Sequence, residues 1–363
     1  MIDNERAIRH FTENRRPILK DAKEGGVNFP LCLAPMVGLS HGALRMVLRD
    51  YLPADAKTIW PTEMLNSRKI PFEDVGQTPE TKCGPDEDFL VPQILGNEEG
   101  PISETIRKLK DWGAFAIDIN MGCPVQKALR HNYGVALMGD SAYAAEVVDM
   151  TVRNTQLPVS VKLRAVKDES NPHYLQNFVE GLAAKGASWV CLHPRTAEQK
   201  RRGNADWEQI RWLRERISIP VVGNGDIQTV EDVMQMLSHT NCDLVMAGRA
   251  LAARPWLLWQ VGKEFGFADP KGKENCPMTP EEEGQEFGKA LLQLIKWNGQ
   301  FFTENQAMRK VRFHVRVTHV WLDFGHTLLR ICMTAKNLRE MEIGIAEFFK
   351  QEIRMFPRTD LRE

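Results

Sequence analysis

The sequence has no C-x-x-C pair, although it holds seven cysteines, at positions 32, 83, 123, 191, 242, 276 and 332. Scattered cysteines of this kind exclude a zinc ribbon and a disulfide framework, and they predict no metal, reduced thiols and a cytoplasmic setting. Long apolar runs are missing too: none approaches the roughly 18 residues that a membrane-spanning helix requires. The stretch from Met1 to Lys23 alternates charges without an apolar core, so it does not read as a secretory signal. Net charge is almost absent, with 47 basic residues against 48 acidic ones, and any contact with nucleic acid would need a local basic patch. There is no early G-x-G-x-x-G, which argues against a Rossmann dinucleotide fold, and no repeat or low-complexity tract. The chain has 363 residues and is 43% hydrophobic, enough for one large domain and a smaller one.

What is present is a rhythm of short apolar runs, each stopped by Pro, Gly or a polar residue. They are Phe29–Ala34, Lys57–Trp60 (halted by Pro61), Phe89–Leu95, a run from Phe115 to Asn120, Val159–Arg164, Trp189–His193, Pro220–Gly223 and Asp243–Ala247. Most gaps between them carry helical spacing, as in Ile102, Ile106, Leu109 and Trp112, or Phe178, Leu182 and Ala183. Thr229 stands three residues before Asp232, a helix-start signal. Strands alternating with helices in this way predict an α/β fold, a (β/α)8 TIM barrel, over 29–267. A polar extension with a short helix (1–28) precedes it. Residues 268–280, rich in Pro, Gly and charge, read as a linker, and 281–363 as a smaller all-helical domain with stripes at Leu291, Leu292 and Ile295 and at Ile343, Ala346 and Phe349.

A barrel carries its chemistry at the C-terminal ends of its strands. Those ends are Pro35-Met36, Gln93, Asn120 with Cys123, Lys162, His193 with Arg195, Asn224-Gly225-Asp226 and Gly248-Arg249. The loops after the last two strands, each with glycine and one with Arg249, suit a phosphate. Lys162 reads either as a cation beside an electron-rich ring or as a lysine snorkelling from a strand end. His193 has a bland alternative as a core histidine satisfied by backbone. Gln93 and Asn120 offer amides suited to a heterocycle edge. Cys123, taken alone, reads more readily as a small buried hydrophobe than as chemistry. Together these residues fit a flavin mononucleotide, with its phosphate over strands seven and eight and its ring across the mouth.

The same residues carry a resemblance. Ala34-Pro-Met-Val-Gly38 with Arg45, Thr62-Glu-Met64, Gln93, Asp118-x-Asn-x-Gly-Cys-Pro124 with Lys127, Lys162-x-Arg164, His193-x-Arg195-Thr196, Asn224-Gly-Asp-Ile227 and Gly248-Arg249 running to Arg254-Pro255-Trp256 occur in the order found in the tRNA-dihydrouridine synthase family. The chain resembles that family, of bacterial type. The resemblance implies an FMN-binding barrel, a helical RNA-binding domain, and FMN contacts from Pro35, Met36, Val37, Gln93, Lys162, His193, Asn224, Gly225, Asp226, Gly248 and Arg249. It implies Asn120 and Arg195 near the substrate, NADPH as electron donor, and Cys123 as the acid that protonates uracil C5 while hydride from the reduced flavin adds at C6. A thiol with a pKa of about 8.5 holds its proton at neutral pH and can still release it. A uridine inside a helix is out of reach, so the RNA must present it flipped or unpaired.

The sequence departs from the family pattern at Gly38-Leu-Ser40-His41, at His131-Asn-Tyr-Gly134 after the cysteine, and at His314-Val315. Between Arg309 and Arg330 it gathers Arg309, Lys310, Arg312, Arg316 and three histidines against the single acid Asp323, which predicts a basic RNA-binding face. Three other readings compete. One is a flavin enzyme acting on a free pyrimidine or similar small molecule, which would need no helical domain. Another is a dihydrouridine synthase acting on another RNA, such as rRNA. The last is an RNA-binding protein without activity, which the intact Asn120, Cys123, Lys162, His193 and Arg249 argue against.

Overall fold

The computed structural model of the chain describes residues 3–19, 25–125, 129–166 and 173–360. Its centre is an eight-stranded parallel sheet: β1 (Leu31–Leu33), β2 (Trp60–Asn66), β3 (Leu90–Leu95), β4 (Ile117–Met121), β5 (Val159–Arg164), β6 (Ala187–His193), β7 (Val221–Asn224) and β8 (Leu244–Ala247). The hydrogen-bonded order is β1-β8-β7-β6-β5-β4-β3-β2. The junction between β1 and β2 is closed outside the ladders. The backbone N–H groups of Asn28 and Phe29 both donate to the Lys57 carbonyl (3.0 and 3.1 Å), and Thr58 Oγ1 donates to the Leu31 carbonyl (2.8 Å). Helices cover the outside of this ring, so the strands are largely buried on both faces. The architecture is a TIM barrel.

The second strand lies further along than the sequence suggests. Lys57–Trp60 is mostly approach, and the strand itself runs through Pro61 to Asn66. Proline lacks the donor for a ladder bond, so it is tolerated near the start of a strand and at an irregularity. Here Pro61 sits second in β2, and the register with β3 shifts between Pro61 and Met64. This leaves Thr62 and Glu63 buried within the strand, while Met64 lines the mouth.

Helices α1 (Asn4–Arg9), α2 (Gly42–Arg49), α3 (Glu99–Asp111), α4 (Ser141–Arg153), α5 (Tyr174–Ala184), α6 (Trp207–Arg216), α7 (Val230–Thr240), α8 (Arg249–Ala253) and α9 (Leu257–Glu264) accompany the barrel. At the start of α7 the predicted cap is present, with Thr229 N–H donating to Asp232 Oδ2 (3.1 Å). Arg45 of α2 is wholly buried and forms an ion pair with Glu87 (2.8 Å), which ties the helix to the segment before β3.

Four further helices follow: α10 (Pro280–Phe301), α11 (Glu304–Thr318), α12 (Gly325–Thr334) and α13 (Leu338–Phe348). Pro280 belongs to the first of these rather than to the preceding segment. Its missing N–H costs nothing at a helix start, and Thr279 and Glu282 cap the turn reciprocally. Residues before it are held to the barrel, with Gln260 Nε2 donating to the Pro277 carbonyl (2.7 Å) and Trp259 Nε1 to Asp269 (2.6 Å). The long helix α10 packs on α2; Tyr51 OH, just after α2, donates to Glu286 (2.5 Å), and Arg254, just after α8, pairs with Glu283 (2.9 Å). Among the described residues no helix is long and apolar enough to cross a membrane.

His314 lies inside the packed face of α11 and its pKa is pushed down to about 4 by burial. The unfolded chain, with an ordinary histidine near 6.5, therefore takes up a proton before the folded one does. Stability from this group is present above pH 6.5 and is lost as pH falls toward 4, a loss of roughly 3 kcal/mol. Urea unfolding of His314→Gln, measured at pH 7 and pH 5, is expected to show a smaller fall in stability than wild type. An unchanged pH dependence would remove this role.

Candidate active site

Two adjoining cavities open at the C-terminal ends of the strands. The larger, about 350 Å³, is walled by Pro35, Met36 and Val37 after β1, by Lys162 and His193, by Asn224–Asp226 after β7 and by Gly248-Arg249 after β8. The smaller, about 190 Å³, is walled by Asn120, Gly122, Cys123 and Pro124 together with Met64. Pro35, Val37, Lys162, Arg164 and His193 line both. Cys123 therefore lies on the other side of the mouth from Gly248-Arg249, with Lys162 and His193 between them.

The larger cavity is strongly electropositive. Lys162, Arg164, Arg195, Lys200, Arg201 and Arg249 line it, with Asp226 as the one acid among the described residues. Arg249 is held down to about 10, by burial first and then by the like charges of Arg201 and Arg195. It stays cationic at neutral pH, with Asp226 and Asp360 only partly offsetting the neighbouring cations. His193 is pushed to about 2, chiefly by burial and then by Lys162, Arg164, Arg195 and Arg249, so it is neutral. Arg195 Nη1 faces His193 Nε2 at 3.3 Å. A guanidinium can only donate, so Nε2 accepts and Nδ1 carries the proton.

Other groups on these walls are committed to each other. Asp226 accepts from Arg195 Nη2 at both oxygens (2.7 Å each) and from Ala205 N–H (2.7 Å). Asn224 accepts from Lys162 Nζ (3.2 Å) and donates to the Met246 carbonyl (2.7 Å). They act here by holding Arg195 and Lys162. Gly225, at φ +119°, sits so close to Ala205 and His193 that a Cβ would come within 2.7 Å of the alanine methyl. Only glycine allows the backbone to take that path.

Gln93 is placed differently from its expected role at a cofactor edge. It is fully buried, off both cavity walls, and its amide spans Asp118 (Nε2 to Oδ2, 2.6 Å) and Asn120 (Nδ2 to Oε1, 2.7 Å). Asn120 reaches the smaller chamber, but its Oδ1 accepts from the N–H groups of Gly122 (3.1 Å) and Cys123 (2.9 Å), shaping the loop. Burial pushes the Asp118 carboxyl up, against the opposing pull of Ser160, Gln93 and Lys162. Beyond Cys123, Lys127 lies outside the described residues. Gly134, at φ +60°, lets the chain fold back over the cysteine, since a Cβ there would lie 2.5 Å from the Cys123 carbonyl oxygen. The His131–Tyr133 stretch is pinned by Asn97 Nδ2, which donates to the His131 carbonyl (3.1 Å).

The basic segment does not form one face. Lys310 points into the barrel rim, 3.5 Å from Glu63 and over the Phe302 ring. Arg312 caps α12, donating to the carbonyls of Cys332 (3.1 Å) and Ala335 (2.7 Å). Of the four, Arg309 and Arg316 are exposed, and His314 and His319 are buried. A helix shows each residue to one direction, so adjacent cations in sequence diverge in space.

Three contributors lay outside the expected set. Arg164 donates to the Gly122 carbonyl (2.8 Å) and to the carbonyls of Thr196 (3.2 Å) and Lys200 (3.1 Å), bolting the cysteine loop to the loop after β6. Its two-residue offset from Lys162 on a strand was the available signal. Phe313 and Val317 of α11 line the larger cavity, and Phe313 lies against Gly38, where a Cβ would meet its ring at 2.7 Å. Nothing local in the sequence points to that contact.

Comparison with known proteins agrees across most of the chain. The family model for dihydrouridine synthase (Dus) matches residues 32–341. A probable tRNA-dihydrouridine synthase of Rhizobium leguminosarum bv. phaseoli is 33% identical, over 78% of this chain and 83% of that protein. The tRNA-dihydrouridine synthase B of Pseudomonas aeruginosa is 31% identical, over 78% of this chain and 82% of that protein. A similar protein of Mycobacterium tuberculosis is 31% identical, over 86% of this chain and 80% of its own. Among solved structures, histamine dehydrogenase from Rhizobium sp. 4-9 shares the fold, at TM-score 0.50 and 13% identity, over 79% of this chain and 51% of that one.

Proposed function

This chain belongs to the dihydrouridine synthase family, and we propose that it reduces the C5=C6 bond of uridines in tRNA, using FMN and NADPH, with Cys123 as proton donor. The observation that carries the reading is the paired chamber: an electropositive cavity over β7 and β8 opening into a smaller one that holds a single thiol. The residues fit a flavin phosphate, because the cations lining the larger cavity exceed the acids there, and the loops after β7 and β8 present backbone to it. Arg249, Gly248 and Gly225 would hold that phosphate, and Lys162 and neutral His193 would flank the ring. Pro35, Met36 and Val37 supply the wall after β1. The reduced flavin, when bound, supplies the hydride taken up at uracil C6.

The chain's own part is to place and protonate the base. Cys123 holds a proton on Sγ for C5, where negative charge gathers as C6 is reduced, and water or solvent exchange returns that proton afterwards. Asn120 and Arg164 hold the loop that carries the thiol. Arg195 stays against Asp226, so its part is to fix the His193 tautomer rather than to reach the RNA. In this reading the barrel, the segment before Pro280 and the helices after it act as catalytic body, connector and RNA-facing domain. A uridine in folded RNA must swing out to enter a chamber of this size, and Arg309 and Arg316 are the cations of α11 still open to a phosphate backbone.

Two measurements test the assignment. The purified protein should be yellow and bleach with NADPH. Mapping dihydrouridine in RNA from cells with and without the gene should show sites lost in tRNA when the gene is absent. A protein that cannot be loaded with FMN, or an unchanged map, would overturn it; sites lost from rRNA instead would transfer the activity to that RNA.

A further inference from the structure

Asp118 is 7% exposed and lines neither cavity, yet a continuous hydrogen-bond path leads from it to the cysteine loop. Its Oδ1 accepts from Ser160 Oγ (2.6 Å) and its Oδ2 from Gln93 Nε2 (2.6 Å). Gln93 Oε1 accepts from Asn120 Nδ2 (2.7 Å), and Asn120 Oδ1 accepts from the N–H groups of Gly122 (3.1 Å) and Cys123 (2.9 Å). Barrel register builds this path. Gln93 and Ser160 stand opposite Asp118 on the two neighbouring strands, and Asp118 and Asn120 share one face of β4.

Each link in the path has a direction. A carboxyl oxygen without a proton, as Asp118 Oδ2 beside Gln93 Nε2, only accepts, whereas a side-chain amide accepts at one end and donates at the other. Asp118 can therefore be served only by the Nε2 end of Gln93, which turns Oε1 toward Asn120. That oxygen can be served only by Nδ2 of Asn120, which turns Oδ1 toward the loop. With both amides reversed, Gln93 Oε1 would face the carboxylate, and Asn120 Nδ2 would face two backbone N–H groups. Both ends would then repel in a buried setting where unmet polar groups are costly. We propose that Asp118 is a positioning residue: through the orientation of the Gln93 and Asn120 amides it fixes where the loop holds the Cys123 thiol. The inference rests on the reading of Cys123 as proton donor.

Two substitutions separate polarity from mere packing. Asp118→Asn keeps an accepting oxygen for Gln93, because its NH2 can face Ser160, whose hydroxyl accepts as readily as it donates. Asp118→Leu has similar bulk and no acceptor. With the FMN-loaded protein, Asp118→Leu is expected to slow uridine reduction in tRNA by roughly 10–100-fold, the scale of a small misplacement of a reacting group. Flavin reduction by NADPH should stay at the wild-type rate. Asp118→Asn should recover most of the lost activity. A second readout needs no RNA: alkylation of Cys123 by iodoacetamide, followed by peptide mass, should change severalfold in Asp118→Leu and match wild type in Asp118→Asn. Should Asp118→Leu fail to fold, Gln93→Met cuts the same path at its middle and should give the same alkylation change.

Equal damage from Asn and Leu, a matched loss in both half-reactions, or an unaltered alkylation rate in the path-breaking variant would overturn the proposal. If the wild-type protein made no dihydrouridine, the function proposed above would fall, and the alkylation comparison would still decide whether Asp118 sets the position of the thiol.

Discussion

Cys123→Ala is expected to slow uridine reduction by about 100–10,000-fold, the range associated with loss of a positioned general acid. The same variant should bind FMN and accept electrons from NADPH as wild type does. The separation follows from the two chambers. Cys123 lines the smaller one and is absent from the walls of the larger, where Gly225, Gly248 and Arg249 lie. Once C6 has been reduced, C5 must take a proton from the face that Cys123 presents, and alanine has none to give. Stopped-flow measurement of flavin reduction and of its reoxidation by tRNA reads the two steps separately. A variant that loses both equally would show that Cys123 serves the larger chamber, or the fold, instead of delivering a proton.

Arg249→Ala should raise the dissociation constant for FMN by about 10–100-fold, the usual scale for losing a hydrogen bond to a charged group. Its effect on the protein without cofactor should run the other way. Burial and the neighbouring charges of Arg201 and Arg195 both disfavour the charged guanidinium, with Asp226 and Asp360 only partly offsetting them. Removing it relieves like-charge crowding, so thermal unfolding of the cofactor-free protein should stay level or move up. A cation kept for structure would show the reverse. Titration of flavin fluorescence and a melting curve of the apoprotein decide between the two, and a variant that binds FMN normally while melting earlier would remove Arg249 from the phosphate site.

The strand rhythm could be read without coordinates because parallel barrel strands are buried on both faces, and each of the eight apolar runs corresponds to one observed strand. The boundaries that moved did so for local reasons: Pro61 entered β2 near its start and Pro280 opened α10, positions where a missing N–H is tolerated. The cavity walls were also largely legible. Strand ends converge by topology, so Pro35, Lys162, His193, Gly225 and Arg249 could be placed together from their order alone. What was not legible is what each polar side chain does once there. Gln93 and Asn120 have the same chemistry as groups that face a ligand and as groups that face each other. Only the register of β3 on β4 decides that Gln93 is spent inside.

The basic segment shows the same limit. Charge density along Arg309–Arg316 is a property of the sequence, but its direction is set by how α11 lies against the barrel. Lys310 went to Glu63, Arg312 went to the end of α12, and Phe313 came to the cavity wall.

By itself, then, the sequence determined the barrel, the helices that follow it, and which residues stand at the mouth, because burial and strand order act along the chain. Only the tertiary structure decided which of them line a chamber, which hold one another, and that Asp118 and the Cys123 loop lie on one hydrogen-bonded path. Those outcomes depend on donor and acceptor directions across neighbouring strands and on helix contacts between distant segments, neither of which is written in local spacing.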